Sequence, residues 1–148
     1  MTTATHINQT VEAFLAKQSG WLTLNQRNSE SFREYTAGAI VKPDFMATKS
    51  GNAWWVAVKE QETGYLSGQR GFLMSAGEFE SWKDLQTRSK TPVRFVFLDG
   101  SRNLYCALLN DLDTQLISYK HELSSEKPRV YLPLSAFITL ATNFGDNN

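Results

Sequence analysis

The residues whose types and spacing could do chemistry lie between Val41 and Gln61, in the stretch V-K-P-D-F-M-A-T-K-S-G-N-A-W-W-V-A-V-K-E-Q. It reads as two β-strands joined by a tight polar turn, Asp44 following Pro43 on the first and Lys59 near the end of the second. Strand side chains alternate faces, so Ala57, Lys59 and Gln61 share one face and Val56, Val58 and Glu60 the other. A carboxylate from one strand thus meets an amine from its neighbour. Carboxylates are the hard oxygen ligands that Mg²⁺ and Mn²⁺ take. The plainer alternative is a surface salt bridge of little energetic weight.

The flanking elements must position that pair. From His6 to Lys17, apolar Ile7, Val11, Phe14 and Leu15 recur at helical spacing, with Thr5 as a plausible N-cap and Gly20 beyond the end. Glu12 sits at the edge of the buried stripe. Trp21 to Asn25 reads as a short strand, and Gln26 to Thr36 as either an irregular loop or a short helix around Phe32 and Tyr35. Gly38 to Ala47 gives the Asp44 strand, and Thr48 to Asn52 supplies turn residues. Pro43 cannot donate to a ladder, so it places Asp44 where regular pairing is relaxed. Trp54 and Trp55, which open the Lys59 strand, are read as packing residues.

Glu62 to Met74, with Gly64, Gly68 and Gly71, reads as a mobile loop beside the pair, a candidate substrate clamp whose only cation is Arg70. Its glycines do not make a phosphate-binding P-loop. Ser75 to Ser89 is a helix on the spacing of Phe79, Trp82 and Leu85, with Glu78 and Glu80 suiting its N-terminal turn and Lys83, Arg88 and Lys90 its C-terminal end. Pro92 opens V-R-F-V-F-L-D-G, an apolar central strand, and Leu104 to Leu109 returns as another after a turn at Asp99 to Asn103. Asp111 and Asp113 are read as turn residues, since the spacing of an EF-hand is missing. Arg129 to Leu134 is a last strand, and Ser135 to Thr142 a short terminal helix capped by Ser135.

The chain has 148 residues, with fifteen basic and fifteen acidic side chains and no formal net charge. That length suits one domain with a sizeable core, spanning residues 1–148. Neutrality means that no global field advertises a polyanionic partner. Lys42, Lys49, Lys59, Arg70, Lys83, Arg88, Lys90 and Arg94 nevertheless make the middle of the chain locally basic, and Asp99 onward leans acidic. Cys106 is the only cysteine, so an intrachain disulfide and a Cys-based zinc site are excluded, and its apolar setting suggests a buried inert thiol. No apolar run approaches the roughly 20 residues that span a bilayer and no basic-then-apolar leader pattern opens the chain, so a cytoplasmic location is the expectation.

Pro43-Asp44, the apolar-x-apolar-Lys59 strand and a preceding helix that carries Glu12 come in an order that resembles the PD-(D/E)XK nuclease superfamily. The resemblance covers roughly residues 8 to 110, and the ending R-V-Y-L-P-L-S-A-F is similar to the strand, turn and helix that close many small members. It implies an α/β restriction-endonuclease-like fold: an αβββαβ core, a central mixed sheet flanked by helices, with an additional C-terminal strand and helix. It also implies a Mg²⁺- or Mn²⁺-dependent DNA endonuclease of prokaryotic or phage type. In that frame Asp44 is the central metal ligand, the backbone carbonyl of Val58 another and Glu12 an outer one. Lys59 orients or deprotonates the attacking water, and Gln61 touches the same water network. Arg70, Gln69, Lys49 and Lys42 are the candidate nucleic-acid contacts. A homodimer, with one site per strand, and a partner protein that gives specificity follow by analogy alone.

One position departs from the pattern: Ala57 stands where the acidic residue of (D/E)XK is expected. Loss of that carboxylate removes a charge and a ligand, which implies an inactive or impaired enzyme. Three explanations compete: a change introduced to inactivate the enzyme, which the otherwise intact constellation favours; a natural non-catalytic descendant that binds nucleic acid or a protein; or an acid that has moved. Glu60 is a poor new position, because it faces away from Lys59.

Overall fold

The computed structural model describes residues 4–18, 22–24, 39, 41–66, 68–115, 117–119 and 128–144. Gln26 to Thr36, the loop or short helix of the sequence reading, lies outside the described residues, as does Gly20.

A six-stranded sheet runs in the order β1 (Leu22–Leu24), β2 (Phe45–Lys49), β3 (Asn52–Glu60), β6 (Val93–Leu98), β7 (Leu104–Leu108) and β10 (Ile138–Ala141). Its one parallel pairing joins β3 to β6, with Ala57 opposite Phe95 and Lys59 opposite Phe97; the other neighbours are antiparallel. Parallel neighbours need a crossover, and α2 (Ala76–Ser89) provides it. The strand alternation divides the core into two layers. Val56, Val96, Leu98, Leu104 and Cys106 face α1 (Ala4–Gln18) through Val11 and Leu15. Trp55, Ala57, Phe95, Phe97 and Tyr105 face Phe79, Trp82 and Leu85 of α2 and Leu109 and Leu112 of α3 (Leu109–Gln115). Both tryptophans are buried as packing residues, and the Trp55 indole also donates to Ser89 Oγ at 2.8 Å. The structure is therefore a mixed α/β sheet with helices on both faces.

Three parts of the sequence reading are corrected. Glu62 to Met74 is not a loop: β4 (Gly64–Leu66) and β5 (Gln69–Ser75) form a hairpin in a second sheet of order β4-β5-β9-β8, with β8 at Ile117–Tyr119 and β9 at Arg129–Pro133. Gly71 serves close approach, since a Cβ there would run into the Leu132 carbonyl and lie 2.8 Å from Tyr131 Cζ, whereas Gly68 supplies a positive φ. Asp111 and Asp113 sit on α3 rather than in a turn, and Asp113 pairs with Lys83 at 3.4 Å. The terminal helix capped by Ser135 is absent as well. A 3-10 turn at Leu134–Ala136 leads into β10, which pairs with β7 from Ile138 opposite Cys106. Phe137, Ile138 and Thr139 are β-formers, and the open edge of β7 offers them a ladder that a short helix does not have.

Cys106 is buried, and desolvation pushes its thiol up to about 11, although Arg94 works in the opposite direction. Among the described residues no helix is long and apolar enough to cross a membrane.

Candidate active site

The β2–β3 hairpin forms as the alternation suggests, with Phe45 opposite Val56 and Lys49 opposite Asn52 around a turn at Ser50 and Gly51 that uses positive φ. Asp44 lies in the bend just before β2, not in the strand itself. Its amide donates to the Val56 carbonyl at 2.8 Å, one residue out of step with the Phe45–Val56 pairing, and Pro43 has no N–H with which to continue. The Val58 amide therefore finds a side chain as acceptor: it donates to Asp44 Oδ2 at 2.6 Å. Asp44 is 8% exposed, so this bond is shielded from water. The carbonyl of Val58 leaves β3 on the same edge as its amide, toward Asp44.

Ala57 is 1% exposed and packed in the core layer beneath α2. Lys59, on the same face two residues on, forms its ion pair with Glu78 Oε2 rather than with Asp44, so the surface Asp44–Lys59 salt bridge does not describe this chain. Both partners are about one-third exposed at the side chain, 33% and 31%. Glu78 is held from two further directions. Its amide donates to the N-cap Ser75 Oγ at 3.0 Å, and its Oε2 accepts from the Trp82 indole at 3.0 Å. Sequence reading gave Glu78 only a place in the helix's first turn.

Gln61 is engaged with the neighbouring sheet. Its side-chain amide donates to the Leu73 carbonyl at 3.0 Å and accepts from the Leu73 amide at 3.2 Å, so it fastens β5 to the end of β3. Glu12 is half-buried on α1, the helix that covers the Val56 face, and so approaches from the side of the sheet opposite Lys59 and Glu78. Arg70 is bonded within the protein. Its guanidinium binds Thr63 Oγ1 at 2.7 Å through Nε and Asp99 Oδ2 at 3.1 Å through Nη2. Lys42, Lys49 and Gln69 are exposed, and the Gln69 carbonyl accepts from the Tyr131 hydroxyl.

Among the described residues no group of three or more His, Cys, Asp and Glu is placed to hold a metal ion. The donors at the site are nevertheless of the right kind for a hard cation: carboxylates of Asp44 and Glu78 and the carbonyl of Val58. Mg²⁺ is commonly held by one or two carboxylates, with waters and substrate phosphates filling the remaining positions.

No family model matches the sequence, and no curated protein matches it. Among solved structures, the chain is similar to a Holliday junction resolvase from the archaeal hyperthermophile Archaeoglobus fulgidus, at 12% identity over 90% of each chain with a TM-score of 0.52. It is also similar to a nuclease from a fusselovirus, at 12% identity over 90% of this chain and 79% of the other with a TM-score of 0.45. Together with the mixed sheet, the β3–β6 crossover through α2 and the Asp44–Val58 junction, the resolvase likeness assigns this chain the restriction-endonuclease-like fold.

Proposed function

We propose that this chain is a DNA-cleaving domain of the endonuclease class, dependent on Mg²⁺ or Mn²⁺ and weakened by Ala57 at the acidic position. The observation that carries the reading is the break in the β2–β3 ladder. It sets the Asp44 carboxylate against the backbone of Val58, one residue before Lys59, on a fold shared with a solved resolvase. In this reading Asp44 and the Val58 carbonyl present oxygen to the cation. When bound, that cation supplies positive charge to the phosphoryl oxygens and acidifies a bound water. Lys59 Nζ would orient that water or, as the neutral amine, take its proton. Gln61 acts at one remove, by fixing the hairpin that ends at Ser75 and so the start of α2. Exposed Lys42, two residues before Asp44, and Lys49 offer phosphate contacts; Arg70 is committed to Asp99 and is withdrawn from that role.

The buried Ala57 methyl and the Lys59–Glu78 pair favour a second reading, a nuclease-like domain that binds nucleic acid or a protein without cutting. Cleavage of plasmid and branched DNA with Mg²⁺ or Mn²⁺ separates the two, comparing this chain with Ala57→Glu and with Asp44→Ala and Lys59→Ala. Metal-dependent cutting that rises in Ala57→Glu and is lost in the other two supports the endonuclease. DNA retention in a gel shift with no cutting by any form supports the second reading, and neither binding nor cutting overturns both. Thermal melting accompanies the assay, because a glutamate at a 1% exposed position displaces packed neighbours.

A further inference from the structure

We infer that Glu78 supplies the carboxylate that position 57 lacks, so that the acid of this site comes from the crossover helix and not from β3. The inference rests on the endonuclease reading above and names one more residue for it.

Three observations lead there. Ala57 and Lys59 share the face of β3 that α2 crosses, and Glu78 is the α2 residue that reaches Lys59. A carboxylate therefore already stands beside the lysine, on the side of the strand where an acid at 57 would project. Second, Ser75-x-x-Glu78 has the form of a capping box, in which the glutamate usually turns back to the N-cap amide. Ser75 makes its half of that box, but Glu78 Oε2 is directed to Lys59 and to the Trp82 indole. Third, the indole that holds it is itself fixed. Trp82 is 4% exposed and packs edge-on against Phe95, the register partner of Ala57, at 5.7 Å between ring centroids. The carboxylate is thus held in place by a buried donor as well as by Lys59.

In this arrangement the Lys59 ammonium and an added cation would compete for the same Glu78 carboxylate. The competition gives a readout independent of catalysis. Calorimetric titration of Mn²⁺ into the full chain compares the parent with Glu78→Gln, Lys59→Met and Ala57→Glu. Glu78→Gln keeps an oxygen for the Trp82 indole, and melting curves check that each variant folds. The expected result is that Mn²⁺ affinity falls roughly 10- to 100-fold in Glu78→Gln, rises in Lys59→Met, and returns when Ala57→Glu is added to Glu78→Gln.

The inference is overturned if Glu78→Gln binds Mn²⁺ as the parent does. It is equally overturned if only the Ala57→Glu forms bind, in which case the acid was lost and the endonuclease reading survives without Glu78. Should no form bind Mn²⁺, Ala57→Glu included, the endonuclease reading falls with it.

Discussion

Asp99→Asn tests how the two sheets are tied together beneath the site. Asp99 directly follows β6, and its side chain is 1% exposed. Oδ1 accepts from the amides of Ser101 at 3.0 Å and Asn103 at 2.8 Å, which closes the turn into β7. Oδ2 receives Arg70 Nη2 at 3.1 Å, which brings β5 of the second sheet onto the end of the first. An asparagine has the same shape but only one acceptor oxygen. If that oxygen serves the two turn amides, its NH₂ faces the guanidinium, donor against donor. One charge-assisted bond is lost, about 1.5–3 kcal/mol, with less than the about 3–5 kcal/mol of a fully buried broken pair because the Arg70 side chain is 35% exposed and water can take it up. The expected loss is about 2–3 kcal/mol, which for a chain of this size lowers Tm by about 4–12 °C. Arg70→Ala, leaving Asp99 buried without its cation, costs a similar amount, and the double variant costs less than the sum. Thermal and urea unfolding read all three. The reasoning is refuted if the single costs simply add, or if Arg70→Ala leaves Tm unchanged while weakening DNA binding, which would return Arg70 to phosphate contact.

Two further outcomes follow from local chemistry. Ser75→Ala removes the acceptor of the Glu78 amide and costs about 1 kcal/mol by denaturant unfolding; because the cap also sets where Glu78 begins, DNA cutting falls by more than the stability loss explains. The Cys106 thiol, raised from 9.0 to about 11, stays protonated in the folded chain where the unfolded chain has already lost its proton. Its contribution to stability is therefore complete below pH 9 and declines from there to about pH 11; Cys106→Ala flattens that decline, and alkylation of the parent at pH 8 proceeds only at the rate of unfolding.

The parts of the fold legible in the sequence are those whose pattern is local. α1, the β2–β3 hairpin, α2, β6 and β7 announce themselves by periodicity, turn residues and a serine cap, and each appears within a few residues of its expected range. What escaped is fixed by distant partners. β5 owes its strand to β9, with Phe72 opposite Leu132, and Gly71 looks like a loop residue until the Tyr131 ring and Leu132 carbonyl pressing on it are known. β10 illustrates the same point from the other side. The run from Ser135 to Thr142 is short enough to suit helix or strand, and the open edge of β7 decides.

The site divides along the same line. Asp44 and Lys59 were legible because proline, aspartate and an alternating strand lie within one hairpin, and the ladder break at Pro43 is what a missing N–H dictates. Glu78 was not, because the chain leaves β3, builds the β4–β5 hairpin into another sheet and only then returns, so sequence distance from Lys59 says nothing of distance in space. A signal was nonetheless present. β3 and β6 are parallel, so the connecting helix must start near the end of β3 and cross back over the sheet. Ser75-x-x-Glu78 marks that start, and strand alternation marks the face on which Lys59 emerges. Glu78, in the first turn of the crossover helix, is thus a neighbour of the last residues of β3, and the missing acid at Ala57 is the reason to look for it there.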